Sequence, residues 1–254
     1  MHYVSTGQGP AVVLIHGLFG NLDNLKNLAN ALEPHYQVIR VDLPNHGQSQ
    51  HWQQMDYPQL AQECVNLLST LAIPEAHFVG HSMGGKVAMA LALLHPVKVT
   101  SLVVADIAPV SYSPRHQKVF AGLTSLPLDS KTTRKTALEH LLAADIDVGT
   151  AQFLLKNLQR TDTGFEWKMN LAGLIENYPQ IIGWDMPNTS FNKPCFFIRG
   201  GESEYVTAEH TDAIMQQFPK VSAKTINGTG HWLHAQKPEI FNRLVVEFID
   251  KHSV

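Results

Sequence analysis

Only two cysteines, Cys64 and Cys195, occur in 254 residues, and both fall in apolar stretches that read as helix and strand. They form no disulfide framework, so buried free thiols and a reducing cytoplasm are expected. Charge is sparse as well, at 16% of residues with a formal net charge of -3, which argues against a broad basic surface for nucleic acid. No run approaches the ~20 uninterrupted apolar residues of a membrane-spanning helix. The start, Met1-His2-Tyr3-Val4, lacks the charged segment and apolar run of a secretory leader. The expectation is a cytoplasmic protein with no nucleic-acid or membrane partner, and with a homodimer left open. Metal chemistry also lacks its signature: there are 14 histidines but no His-Glu-x-x-His or comparable ligand spacing. His16, His46 and His81 are read as turn residues or neighbours of a site, and no metal or organic cofactor is expected.

What is present is a pattern. Short apolar runs at 11–15, 37–41, 76–79, 101–106 and 195–198 read as buried strands. Between them, 24–32, 57–71, 84–94, 209–217 and 238–252 carry apolar residues three and four apart, as helices laid on a sheet do. The alternation predicts an α/β fold with a mainly parallel central sheet flanked by helices. It breaks between Tyr112 and Asn188, where segments such as 133–144 and 151–160 look helical. That stretch, 112–188, is expected to be an inserted helical cap on a core made of 1–111 and 189–254.

The run His77-Phe78-Val79-Gly80-His81-Ser82-Met83-Gly84-Gly85 places Gly-x-Ser-x-Gly between an apolar strand and a helix. This is the context in which a serine hydroxyl is held clear of a sheet as a nucleophile. The helix that follows directs its dipole and free N–H groups at developing negative charge. A base is offered by His231 in Gly228-Thr229-Gly230-His231-Trp232, on a tight loop before the last helix. His234 is its competitor. The imidazole needs a carboxylate to orient it. Asp106, closing the run Leu102-Val103-Val104-Ala105, lies where active sites of open α/β sheets form, and it is preferred over Glu202 and Glu204. Acyl transfer also needs two fixed N–H donors. Met83 follows the nucleophile, and Leu18 sits in the glycine-bearing loop His16-Gly17-Leu18-Phe19-Gly20-Asn21.

Five motifs together are specific: His16-Gly17-Leu18-Phe19-Gly20, Asp42-Leu43-Pro44-Asn45-His46-Gly47-Gln48-Ser49, Gly80-His81-Ser82-Met83-Gly84-Gly85-Lys86, Ala105-Asp106-Ile107-Ala108-Pro109 and Gly230-His231-Trp232. They resemble those of the bacterial YbfF-type esterases of the α/β-hydrolase superfamily. The resemblance implies a triad of Ser82, Asp106 and His231. It also implies substrates that are short- to medium-chain carboxylic esters, with acyl thioesters of coenzyme A as a further class. The position that carries an aspartate in most relatives is Ser203 here, which favours Asp106. The first edge strand of a full eight-stranded sheet is expected to be absent.

Phe19, Phe120, Phe153, Trp167 and Leu171 are candidates for the substrate pocket, though any of them could be core. Carbon–carbon bond hydrolysis or a related lyase step on the same frame is the alternative chemistry. A receptor that keeps the triad without turnover is the alternative from another class. Ser82 disfavours epoxide hydrolysis and dehalogenation, both of which need a carboxylate nucleophile.

Overall fold

The computed structural model describes residues 1–253. Seven strands form one sheet: β1 (His2–Thr6), β2 (Ala11–Ile15), β3 (Gln37–Asp42), β4 (Ala76–His81), β5 (Val99–Ala105), β8 (Cys195–Gly200) and β9 (Val221–Ile226), in the order β1-β3-β2-β4-β5-β8-β9. All neighbours run parallel except β1 against β3. The interior strands are continuous apolar runs because both faces are covered. Every residue of β2, Ala11-Val12-Val13-Leu14-Ile15, is buried. Successive side chains point to opposite faces, so Val13 and Ile15 join one core layer while Val12 and Leu14 join the other.

The first layer is closed by α2 (Tyr57–Thr70) and α3 (Met83–Leu94), the second by α1 (Lys26–Leu32) and α11 (Pro238–His252). In α11 the buried residues Phe241, Val245 and Ile249 recur every four positions, a stripe that lays one helix face on the sheet. By contrast α3 buries nearly all its residues, because it is enclosed between the sheet and other elements. Asp56 starts α2 by accepting the Gln59 N–H, which satisfies one otherwise orphaned donor. Cys64 and Cys195 are free and buried, and burial pushes the Cys64 thiol up to about 12, so it is inert at neutral pH. Among the described residues no helix is long and apolar enough to cross a membrane.

The remaining core helices, α9 (Thr211–Gln217) and α10 (Leu233–Gln236), follow β8 and β9. Between β5 and β8 the chain runs through α4 (Gln117–Ser125), α5 (Arg134–Ala143), α6 (Val148–Leu154), a hairpin of β6 (Leu158–Thr161) and β7 (Gly164–Trp167), α7 (Leu171–Glu176) and α8 (Tyr178–Ile182). The hairpin corrects the expectation of helix over 151–160. The α-helix ends at Leu154, a 3-10 turn continues it over Leu155–Asn157, and Leu158–Thr161 then pairs antiparallel with Gly164–Trp167 around a turn at Asp162-Thr163. The Phe165 N–H also donates to the Leu128 carbonyl, which gives the small ribbon a partner outside itself.

The strand order reverses between β2 and β4. β2 leads to β3 on one side, and the chain then returns to place β4 on the other. The loops leaving the carboxyl ends of β2 and β4 therefore diverge, opening a crevice where open α/β sheets bind ligands.

Candidate active site

Ser82 follows directly on β4 and caps α3 with φ 54° and ψ -122°, a conformation that costs a non-glycine residue on the order of 1–3 kcal/mol. Its N–H donates to the Ala105 carbonyl at 2.9 Å, which anchors the turn to β5. The turn requires small neighbours. A Cβ on Gly80 would lie 2.2 Å from the Gly84 carbonyl oxygen, and one on Gly84 would lie 2.4 Å from the carbonyl oxygens of Ile15 and His16. Both glycines are therefore steric necessities of the strand-to-helix turn.

Three side chains from separate strand ends converge there. The Ser82 hydroxyl donates to His231 Nε2 at 2.9 Å, and His231 Nδ1–H donates to Asp106 Oδ2 at 2.7 Å. These partners assign the tautomer of His231. Asp106 follows β5 with φ 53° and is fully buried. The Gly200 N–H donates to its Oδ1 at 2.9 Å, and the Ser203 hydroxyl donates to its Oδ2. A buried carboxylate needs this full set of donors. Glu202 and Glu204 are exposed, and His234 packs its ring 4.3 Å from that of His81; Asp106 and His231 are the residues brought together with Ser82. Tyr205 stacks on the His231 ring at 3.8 Å and 20°. His81 Nε2–H donates to the His231 carbonyl at 2.8 Å, and burial holds the His81 ring well below its usual pKa.

The loop after β2 lies beside this group. A turn closed by the Gly20 N–H on the Gly17 carbonyl, at 2.9 Å, carries Leu18 and a left-handed Phe19 at φ 61°. Among the described residues neither the Leu18 N–H nor the Met83 N–H has a hydrogen-bond acceptor. The turn is cross-linked to the loop after β3. His16 Nε2 accepts the Leu43 N–H at 3.1 Å, and His46 Nε2 accepts the Phe19 N–H at 3.2 Å. The Nδ1–H groups donate to the Gly17 and Pro44 carbonyls. Both rings thus have main-chain partners on both nitrogens and act as buried struts. Burial lowers His16 to about 4 and His46 to about 3, which keeps Nε2 free to accept. Lys86, on α3, is buried with its ammonium donating to the Ile182 and Gly183 carbonyls at 2.9 and 2.8 Å. It lies against the rings of Tyr57, Tyr112 and Trp184, and burial lowers it to about 7.

A cavity of about 300 Å³ opens at Ser82 and His231. Of the five pocket candidates from the sequence, Phe19 and Phe153 line it; Phe120, Trp167 and Leu171 do not. Phe120 stands one layer behind, its ring 5.3 Å from Phe19 and 5.0 Å from Tyr178. Trp167 pairs with Leu158 in the hairpin, and Leu171 begins α7 and packs into the core. Sequence reasoning missed Trp232, Val119, Ile146, Leu154 and Tyr205, which do line the cavity. Trp232 had a signal, since it adjoins His231 in the chain.

The geometry can be set beside known proteins. The model of the α/β-hydrolase fold matches residues 10–238. The chain belongs to the α/β-hydrolase family. Within the family, esterase YbfF of Escherichia coli is 40% identical over 241 residues, covering 94% of this chain and 92% of that protein. The sn-1-specific diacylglycerol lipase ABHD11 of Mus musculus is 36% identical over 248 residues, 94% of this chain and 81% of that one. Among solved α/β-hydrolase structures, a marine microorganism esterase aligns with a TM-score of 0.94 at 34% identity, covering 97% of this chain and 98% of that chain. The resemblance to YbfF-type esterases carried by five short motifs therefore extends over nearly the whole chain.

Proposed function

We propose that this enzyme is a serine carboxylesterase in which Ser82 attacks the carbonyl of a short- to medium-chain ester, with His231 as general base and Asp106 as its orienting carboxylate. Acyl-CoA thioesters are the second substrate class. The observation that carries the reading is the continuous relay from Ser82 to His231 to Asp106, at 2.9 and 2.7 Å, at the mouth of a cavity walled by Phe19, Phe153 and Trp232.

In the first step the Ser82 oxygen bonds to the carbonyl carbon as His231 Nε2 takes its proton. The carbonyl oxygen becomes an oxyanion that receives the Leu18 and Met83 N–H groups. Collapse of this intermediate breaks the bond to the leaving alcohol or thiol, which takes the proton from His231. Water then attacks the acyl-enzyme by the same route, releasing the acid and restoring Ser82. Asp106 holds the imidazole in the required tautomer and stabilises its protonated form. Each acyl CH₂ buried in the cavity contributes about 0.8 kcal/mol, so the cavity, rather than the triad, selects chain length.

Residues 112–188 are read as the cap over a core formed by 1–111 and 189–254, because Val119, Ile146, Phe153 and Leu154 wall the cavity from this stretch. The test is a panel of nitrophenyl esters from acetyl to octanoyl, together with acyl-CoA thioesters, run with wild type and Ser82→Ala. Turnover by wild type and none by the variant is expected. Full activity in Ser82→Ala rules the reading out.

A further inference from the structure

The Phe19 main chain is held from both sides, and both holds lead to the segment between β5 and β8. On one side, Asn157 Nδ2 reaches from that segment and donates to the Phe19 carbonyl at 2.6 Å. Asn157 is 1% exposed, and among the described residues its Oδ1 has no hydrogen-bond partner. A buried amide left half-satisfied destabilises the fold, so its remaining bonds deserve a reason. On the other side, His46 Nε2 accepts the Phe19 N–H, and the residue before His46 is tied to the same segment. The Asn170 N–H and Nδ2 donate to the Asn45 carbonyl and Oδ1, both at 2.9 Å. Asn45 is fully buried with φ 65°.

The held residue is strained and adjoins Leu18, and it forms one corner of the Gly17-to-Gly20 turn. A residue kept in the left-handed region persists only where its surroundings over-determine it. The Asn157 tie holds the Phe19–Gly20 peptide and the His46 tie holds the Leu18–Phe19 peptide; with either cut, the peptide it held can rotate and Phe19 can relax. Rotation of that peptide changes the geometry of the whole turn that aims the Leu18 N–H.

We propose that Asn157 is a positioning residue for the oxyanion hole, acting through the Phe19 carbonyl, with Asn170, Asn45 and His46 forming a second arm through the Phe19 N–H. The inference rests on the Ser82 reading above and deepens it: the segment that walls the cavity also sets the donor geometry. Rearrangement of this segment around a substrate is then transmitted to Leu18 through two hydrogen-bonded arms. The hole is complete only when the segment is seated.

The test compares wild type with Asn157→Leu and Asn157→Asp, each quantified by endpoint titration with a fluorophosphonate so that rates refer to reactive sites only. In both variants kcat for nitrophenyl butyrate falls on the order of 10- to 100-fold, with KM within about twofold, because a hole donor acts mainly on the transition state. Affinity for an alkyl boronic acid, whose adduct with the serine is tetrahedral and anionic, falls in step with kcat. A structural role alone would lower thermal stability but leave kcat per titrated site and boronate affinity at wild-type values, and that result overturns the proposal. If neither Asn157 variant folds, Asn170→Ala carries the test. A roughly threefold drop in kcat at unchanged KM supports the relay, and wild-type kcat refutes it. Failure of wild type to react with the fluorophosphonate instead overturns the Ser82 reading on which the inference stands.

Discussion

Ser203 donates its hydroxyl to Oδ2 of Asp106, the same carboxylate oxygen that receives His231 Nδ1–H. The bond is charge-assisted and buried, a class in which a single contact contributes about 1.5–3 kcal/mol. Ser203→Ala leaves the carboxylate with the Gly200 N–H and His231 alone. It is expected to lower kcat about tenfold while KM stays within about twofold, measured by steady-state hydrolysis of nitrophenyl butyrate. An unchanged kcat would show that Ser203 has no part in holding Asp106.

The choice of acid separates sharply by mutation. Asp106→Asn preserves shape but favours the wrong imidazole tautomer, and a loss of about 10⁴ in kcat is expected from the best-studied triad. Glu202→Gln, at an exposed position on the neighbouring loop, is expected to stay within about twofold. Comparable losses in the two variants would undo the assignment of Asp106.

Parts of this site were legible because their chemistry is local. The strand-to-helix turn at Ser82 imposes glycines two residues either side of it, and the close approaches at Gly80 and Gly84 explain that spacing in the sequence. Asp106 was legible because an apolar strand that ends on a charged residue marks its carboxyl end. Ser203 was noticed only as a missing aspartate; its bond to Asp106 depends on two loops 97 positions apart. The lining residues were least legible. Phe120, Trp167 and Leu171 share the composition of lining residues, and nothing in an apolar helical stretch says whether a side chain meets a cavity or a neighbouring helix. The hairpin within 151–167 was hidden because Leu154, Leu155 and Leu158 continue a helical spacing into a segment that tertiary contacts hold extended.

Chain-length preference should follow Phe153. Its ring lies 4.3 Å from that of Trp232 and both face the cavity. Phe153→Ala lengthens the space available to an acyl chain. Each additional CH₂ accommodated contributes about 0.8 kcal/mol, or roughly fourfold in kcat/KM. The ratio of kcat/KM for octanoyl over butyryl esters is expected to rise at least that much relative to wild type. A fall in that ratio would place the acyl chain elsewhere.

Stability should decline on the acid side for a stated reason. Burial holds His16 at about 4 and His46 and His234 at about 3, whereas each titrates near 6.5 in the unfolded chain. The folded values are the lower ones, so the unfolded chain binds more protons as the pH falls. The stability these neutral rings contribute is complete above about pH 6.5 and is lost progressively down to about pH 3–4. Each ring adds a slope of up to about 1.4 kcal/mol per pH unit in that window. Calorimetry is expected to show Tm falling steeply between about pH 6 and pH 4. A constant Tm across this range would mean that these rings are not held neutral.

The most direct measurement is the intact mass and peptide map of the protein after reaction with a fluorophosphonate, with ester turnover followed in parallel. One adduct per chain, located on Ser82, with loss of turnover in proportion to labelling and no adduct in Ser82→Ala, is the predicted result. Turnover that persists in the fully labelled protein, or an adduct located on another residue, would contradict the account.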